Sequence, residues 1–308
     1  MKFLYFLQEI RTPFLDAIIS AVTHLGEETL FMIFALLFFW CFDKKRGYYL
    51  LFTGFAGIVS IQFLKMIFRI PRPWVLDPEF PIVESARAEA TGYSFPSGHT
   101  QCATALYGGV ARSSKTRWVQ LGGIGVVLAV AFSRMYLGVH TPKDVLVSLA
   151  VGAAWVLIVY PILYHFFEKP RAMYCVIGSV LLLSLANLLF VFLYQFPSDV
   201  DAVNLADAEK TACQLFAIVL AMCILYPVDH YLLKFQTDAV WWAQILKLVG
   251  GVAIVLAVRL LLKSPLNALF GVNIGCGVRY FLMVIAAGIL WPMTFGWFAR
   301  LGRKKEEI

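Results

Sequence analysis

The sequence predicts an all-α fold, a polytopic bundle of membrane helices, and three observations predict it. The 308 residues are 60% hydrophobic and only 15% charged, with a mean hydropathy of +0.77. That balance belongs to integral membrane proteins rather than to soluble domains. The apolar residues fall in runs that approach the ~20 residues a helix needs to cross a bilayer. The basic residues gather mostly in the short segments between those runs, where they report topology.

Taken in order, residues 12–24 carry apolar side chains at helical spacing between charged flanks. They read as an amphipathic helix in the interface plane, or as the first turns of a long, tilted first span. Residues 1–26 are therefore set apart as an interfacial segment. Their apolar stretch FLYFL is too short for a cleavable signal peptide. Apolar length and flanking charge then predict spans at 27–42, 47–68, 98–112, 117–135, 143–167, 172–194, 210–233, 240–262 and 278–299. The stretch 98–112 is short and holds Gly, Thr and Gln. It is counted because a crossing there keeps the loops 69–98 and 134–144 on one face. No internal repeat or low-complexity segment is present.

The loops DKKRG (43–47), RSSKTR (112–117), EKPR (168–171), the Lys234 loop and the tail 300–308 carry the positive charge and read as cytoplasmic. The opposite set, 69–98, 135–142, 195–209 and 263–277, holds Asp77, Glu79, Glu84, Glu89, Asp199, Asp201, Asp207 and Glu209. It reads as extracytoplasmic, with the N-terminus outside and the C-terminus in the cytoplasm. The net charge of +7 is not gathered on a soluble face, which argues against a nucleic-acid partner. The six cysteines are scattered, with no Cys-x-x-Cys or Cys/His spacing, so neither a disulfide framework nor a zinc site is expected.

Within this apolar chain three polar blocks stand out. Lys65 is followed after six residues by Arg72-Pro73. A phosphoryl group in transit spreads negative charge over its equatorial oxygens, so its catalysis is largely placement of cations and donors. Lysine offers a point charge and arginine a planar fork. Next comes Pro96-Ser97-Gly98-His99. Proline suits a first helical turn, glycine permits close backbone approach, and the free N–H groups of a helix start attract an anion. Last come Ser133-Arg134, His140 and Asp144, with Gly138 at a plausible helix stop. Asp144 lies four residues past His140, placed to orient one ring nitrogen and leave the other as a nucleophile. Each block alone also has a plain structural account: snorkelling at a helix end, an ordinary Ser/Gly cap, and a capping box of Thr141 with Asp144. Ser133 is expected to pack. No carboxylate cluster for a divalent ion accompanies the blocks, and no metal or other cofactor is expected.

Position for position, the three blocks resemble the signature of the type 2 phosphatidic acid phosphatase superfamily. The likeness covers residues 65–144 directly and 27–167 by span pattern. It implies a six-helix phosphatase core at 27–167, and the apolar runs add about three C-terminal transmembrane helices within 168–308. It implies a metal-independent, two-step phosphatase, and with the sidedness read from the loops the expectation is a membrane lipid phosphate or diphosphate cleaved on the extracytoplasmic side of a bacterial cytoplasmic membrane. By the same likeness His140 attacks phosphorus, Asp144 orients it, and His99 protonates the leaving oxygen and then activates water. Lys65, Arg72, Ser97, Gly98 and Arg134 bind the phosphate oxygens. Other readings stay open: a soluble phosphomonoester as substrate, binding or transport of a phospholipid without cleavage, and transfer to an acceptor other than water.

Beyond the core, Asp229-His230 reads as a satisfied helix-end pair, Lys247 and Arg259 as snorkelling cations, and Trp241, Trp242, Trp291 and Trp297 as interfacial anchors. The C-terminal helices have three open uses: widening a lipid groove, contacting another subunit in an oligomer, or a separate activity. Loop 73–95 reads either as a lid or as a passive surface loop.

Overall fold

The computed structural model describes residues 1–301, so all but the first two residues of the basic tail lie outside it. Among the described residues every regular element is a helix. Seven are long and apolar enough to cross a membrane, and eight if the bent pair Pro13–Gly26 and Glu28–Phe42 forms one span. That is fewer than the nine expected, and the difference lies near the N-terminus and at 98–112.

The N-terminal segment contains two helices, α1 (Lys2–Glu9) and α2 (Pro13–Thr23). The first went unforeseen because its apolar run is short, yet it buries Leu4 and Leu7. Thr12 caps α2, accepting from Leu15 N, and Pro13 occupies its first turn. A bend of 50° separates α2 from α3 (Glu28–Leu37), which ends in a wide turn at Phe38–Phe42. The long α4 (Lys44–Phe68) follows and then the single turn α5 (Pro73–Leu76). Residues 98–113 form α6 (Gly98–Ala103), a wide turn at Thr104–Gly108 and α7 (Gly109–Ser113). At ~1.5 Å per residue this rod is shorter than a bilayer core, and its composition suits an interior. Gly57 of α4 faces Gln101 so closely that a Cβ there would lie 1.6 Å from Gln101 Nε2.

The helices α8 (Arg117–Tyr136) and α9 (Pro142–Phe166) complete the arrangement around the site. Gly138 turns the chain between them with φ of 80°, a conformation that suits glycine. The C-terminal helices are α10 (Pro170–Leu193), α11 (Ala202–Pro227), α12 (Trp241–Leu261) and α13 (Lys263–Ile285). The expected outer loop 263–277 is therefore helical. The helix breaks at Gly271, where φ is 75°, and folds back so that a Cβ on Gly275 would lie 2.7 Å from Leu266 O. Glycine and asparagine at 271–277 look loop-like in sequence, but the first permits the break and the rest continue the helix.

The chain divides into two compact units. One comprises Met1–Met32, Leu50–Pro161 and Leu193–Ala208, and it contains every predicted site residue. The other comprises Ile33–Tyr49, Ile162–Phe192 and the chain from Glu209 on. Within the second unit Asp229 is buried and satisfied, by Lys44 at 3.0 Å and Tyr48 at 3.0 Å rather than by His230. Lys247 does not snorkel. It is fully buried, donates to Thr237 O at 2.9 Å and lies 4.2 Å from the centre of the Phe295 ring. A carbonyl and an aromatic face replace the water that a lysine otherwise seeks.

Candidate active site

The three polar blocks converge at one end of α4, α6, α8 and α9. Lys65 lies in the last turn of α4, and Arg69 leaves that helix in a left-handed conformation that redirects the chain toward Arg72. The Arg72 guanidinium donates from Nε to Gly92 O at 3.0 Å and from Nη2 to Thr91 O at 2.6 Å. Its Nη1 reaches Val139 O at 3.0 Å and His140 Nε2 at 2.9 Å. Four of five donors are thus engaged, and one N–H is left for a ligand. Arginine here is a clamp joining two loops.

Arg134 sits in the last turn of α8 and is fully buried. Its carbonyl accepts from both Val139 N and His140 N, each at 3.2 Å, which ties the Gly138 turn to the helix end. Its Nη1 donates to Thr23 Oγ1 at 2.6 Å, and its Nε has no hydrogen-bond partner. Ser133 Oγ donates to Val130 O at 2.7 Å within its own helix, in keeping with a packing role. Lys65, Arg72 and Arg134 all lie within electrostatic range of both His99 and His140. Burial and then these positive charges hold His140 well below the ordinary imidazole pKa, so it is neutral at pH 7 with a lone pair to offer.

Ser97 caps α6: its hydroxyl oxygen accepts from Thr100 N at 3.4 Å and Thr100 Oγ1 at 3.0 Å, leaving its own hydrogen to donate. Ser97 N reaches Asp144 O at 3.2 Å, which joins the second block to the third. A Cβ added at Gly98 would meet no protein atom within 4 Å, so protein packing does not account for that glycine. His99 follows directly, and its Nε2 lies 3.5 Å from Glu89 Oε2 with no hydrogen-bond partner.

Asp144 is fully buried, and its Oδ2 accepts Thr141 N at 2.8 Å, the capping-box contact. The same oxygen is 3.6 Å from His140 Nδ1, too far for a hydrogen bond. Ser94 Oγ lies between them, 2.6 Å from Asp144 Oδ2 and 3.4 Å from His140 Nδ1. Sequence reasoning missed Ser94, Thr23 and Glu89. Only the residue two before Pro96 had a positional hint, its nearness to the second block.

Segment 73–95 packs as a wall of the site. Ala86 and Ala90 join Tyr136, Leu137 and Val139 in a small apolar core, with Trp74 and Val83 against it. Arg11 laces this wall to the Gly138 turn through Tyr136 O at 2.9 Å and Pro81 O at 2.7 Å. Outside the three blocks, ligand atoms of His24, Glu27 and Glu89 lie within 4.8 Å of one another. His24 hydrogen-bonds Glu27 and lies 3.7 Å from Glu89.

A neutral imidazole, a second histidine and three cations in one buried place suit an anion that undergoes substitution at its centre. Comparison with known proteins points the same way. Residues 45–168 match the family model described as PAP2 superfamily. The chain is 33% identical over 142 residues to the undecaprenyl-diphosphatase BcrC of Bacillus subtilis, covering 45% of this chain and 69% of that protein. It is 26% identical over 262 residues to sphingosine-1-phosphate phosphatase 1 of Mus musculus, covering 79% of this chain and 58% of that one. It spans about a third of the length of other sphingosine-1-phosphate phosphatases that it matches. Among solved structures it is similar to Aquifex aeolicus LpxE, with 24% identity, a TM-score of 0.45, and coverage of 52% of this chain and 93% of that one.

Proposed function

Because the chain belongs to the PAP2 superfamily, we propose that it is an integral membrane phosphatase. It hydrolyses a lipid phosphate or diphosphate on the extracytoplasmic side without a metal, through a phosphohistidine. The observation that carries this reading is the Arg72 Nη1 contact to His140 Nε2 at 2.9 Å, within reach of two further cations and His99. Relatives named for undecaprenyl diphosphate and for sphingosine 1-phosphate support a lipid substrate.

In this mechanism the phosphate enters with its oxygens toward Lys65, Arg134, the free N–H of Arg72, the Ser97 hydroxyl and the α6 start at Gly98. Its charge competes for the Arg72 N–H that otherwise rests on Nε2, so the substrate itself uncovers the nucleophile. His140 Nε2 forms a bond to phosphorus as the bond to the leaving oxygen breaks, and His99 delivers a proton to that oxygen. The arriving negative charge favours the protonated His99 that this step requires. Neutral His99 then takes a proton from water, which attacks phosphorus and releases phosphate and free His140. The basic loops support an extracytoplasmic site.

The test is a substrate panel on purified protein in detergent with EDTA: phosphatidic acid, phosphatidylglycerol phosphate, an isoprenyl diphosphate, sphingosine 1-phosphate and glucose 6-phosphate. Free phosphate released from a lipid, abolished in His140→Ala, is expected, together with an acid-labile, base-stable phosphoenzyme. Turnover of glucose 6-phosphate alone would overturn the lipid reading, and full activity in His140→Ala would overturn the nucleophile.

A further inference from the structure

We propose that Ser94 is a positioning residue for His140, joining the imidazole to Asp144 in a three-membered relay; this rests on the histidine-nucleophile reading and deepens it. The argument begins with the opposite ring nitrogen. A guanidinium can only donate, so the Arg72 contact at 2.9 Å makes His140 Nε2 an acceptor. The neutral imidazole then carries its hydrogen on Nδ1. That hydrogen faces two oxygens, Ser94 Oγ at 3.4 Å and Asp144 Oδ2 at 3.6 Å, and the serine is the nearer. The Ser94 hydroxyl has one hydrogen, which it donates to Asp144 Oδ2 at 2.6 Å. Its oxygen lone pairs remain to accept from Nδ1–H. Polarity therefore runs in one sense, from the ring through the hydroxyl to the carboxylate.

The fold holds Ser94 in this position from both sides. Ser94 is fully buried, and its N–H donates to Ile70 O at 2.8 Å. Two and three residues upstream, the carbonyls of Gly92 and Thr91 are gripped by Arg72, the same side chain that sets the tautomer. Asp144 Oδ2 is already committed to Thr141 N at 2.8 Å, so the carboxylate is fixed at the start of α9 and the hydroxyl closes the distance to the ring. During attack the Nε2–P bond forms and the leaving oxygen takes its proton from His99. The ring becomes cationic and keeps Nδ1–H. The Ser94 oxygen meets that growing charge, and its own bond to Asp144 strengthens the response. No proton leaves the relay.

The experiment compares wild type, Ser94→Ala, Asp144→Asn, the double variant and His140→Ala as purified protein in detergent. The probe is the lipid phosphate turned over best in the panel, with pre-steady-state phosphoenzyme formation read alongside phosphate release. Ser94→Ala is expected to slow phosphoenzyme formation about 10- to 100-fold, with KM within about twofold of wild type. Because both residues act through one chain, the double variant is expected to fall no further than about threefold below Asp144→Asn. Multiplicative losses, or Ser94→Ala activity within about threefold of wild type, would overturn the relay. Thermal unfolding of Ser94→Ala separates a loss of fold from a loss of rate, and Ser94→Thr, which keeps a hydroxyl, is expected to recover part of that rate. If His140→Ala stays active and wild type forms no phosphoenzyme, the nucleophile reading itself fails. If His140→Ala is dead while Ser94→Ala is normal, only the relay fails.

Discussion

Replacing Arg72 by lysine keeps the charge and removes the fork, and the structure sets the size of the effect. Arg72 donates to Gly92 O, Thr91 O, Val139 O and His140 Nε2 at 3.0, 2.6, 3.0 and 2.9 Å. These acceptors surround three different nitrogens of a rigid plane. A lysine brings all its donors to one point and retains about two of the four. Hydrogen bonds from charged donors contribute roughly 1.5–3 kcal/mol each, so losing two removes about 3 kcal/mol at the lower bound. Part of that loss falls on the folded state, because the carbonyls at 91–92 and 139 are left with fewer donors. The rest falls on the transition state, because the loop holding Ser94 and the turn holding His140 are no longer clamped together. At ~1.4 kcal/mol per decade, kcat/KM is expected to drop by about two orders of magnitude if most of the loss reaches the reaction. Phosphate release and thermal unfolding in the same detergent measure the two shares. Arg72→Lys with activity within about threefold of wild type and an unchanged unfolding temperature would refute the clamp and leave Arg72 as a simple positive charge.

Two further outcomes test other parts of the site. Gly98→Ala is expected to fold normally, since its Cβ meets no protein atom within 4 Å. It should nevertheless lose about tenfold or more in kcat/KM, because the methyl takes space where a phosphate approaches the helix start; lost stability with normal activity would reverse that reading. The acid limb of kcat/KM reports His140 in the free enzyme. Burial, then Arg72, Arg134 and Lys65, lower its pKa, so a neutral nucleophile persists as pH falls through the ordinary imidazole range. Lys65→Met removes one of those cations, so the acid limb is expected to move to higher pH; a limb that stays in place would dissociate Lys65 from His140. The same lowered pKa has a sign for stability. Below the ordinary imidazole value the unfolded chain takes up the proton first, so this group contributes stability that is lost as pH falls.

Much of this site is legible in order along the chain. The spacing of Lys65 to Arg72 and of Arg134 to His140 to Asp144 places each member at a helix end or in a tight turn. Helix ends are where local sequence speaks most clearly, through caps, Gly138 and the proline at 142. The apolar runs likewise announce α4 and α8 to α12. The signals fail where a residue's role depends on something distant. Lys247 reads as a snorkelling cation until Thr237 and Phe295 meet it. The helix around Gly271 reads as a loop because asparagine and glycine are turn formers, yet Gly275 lies against the Leu266 carbonyl and Asn273 donates to Glu209.

By itself the sequence determined the membrane class of the chain, its helical architecture and a set of residue types suited to a phosphate, because periodicity, run length and charged spacing are local properties. The tertiary structure decided how those residues are wired. Asp144 and His140 both meet Ser94, which lies fifty positions before Asp144 in the chain, and Arg134 leans on Thr23, more than a hundred positions away. Hydrogen bonds act over about 3 Å, and only the folding of α2, α6, α8 and α9 around one end of α4 brings such partners within that range.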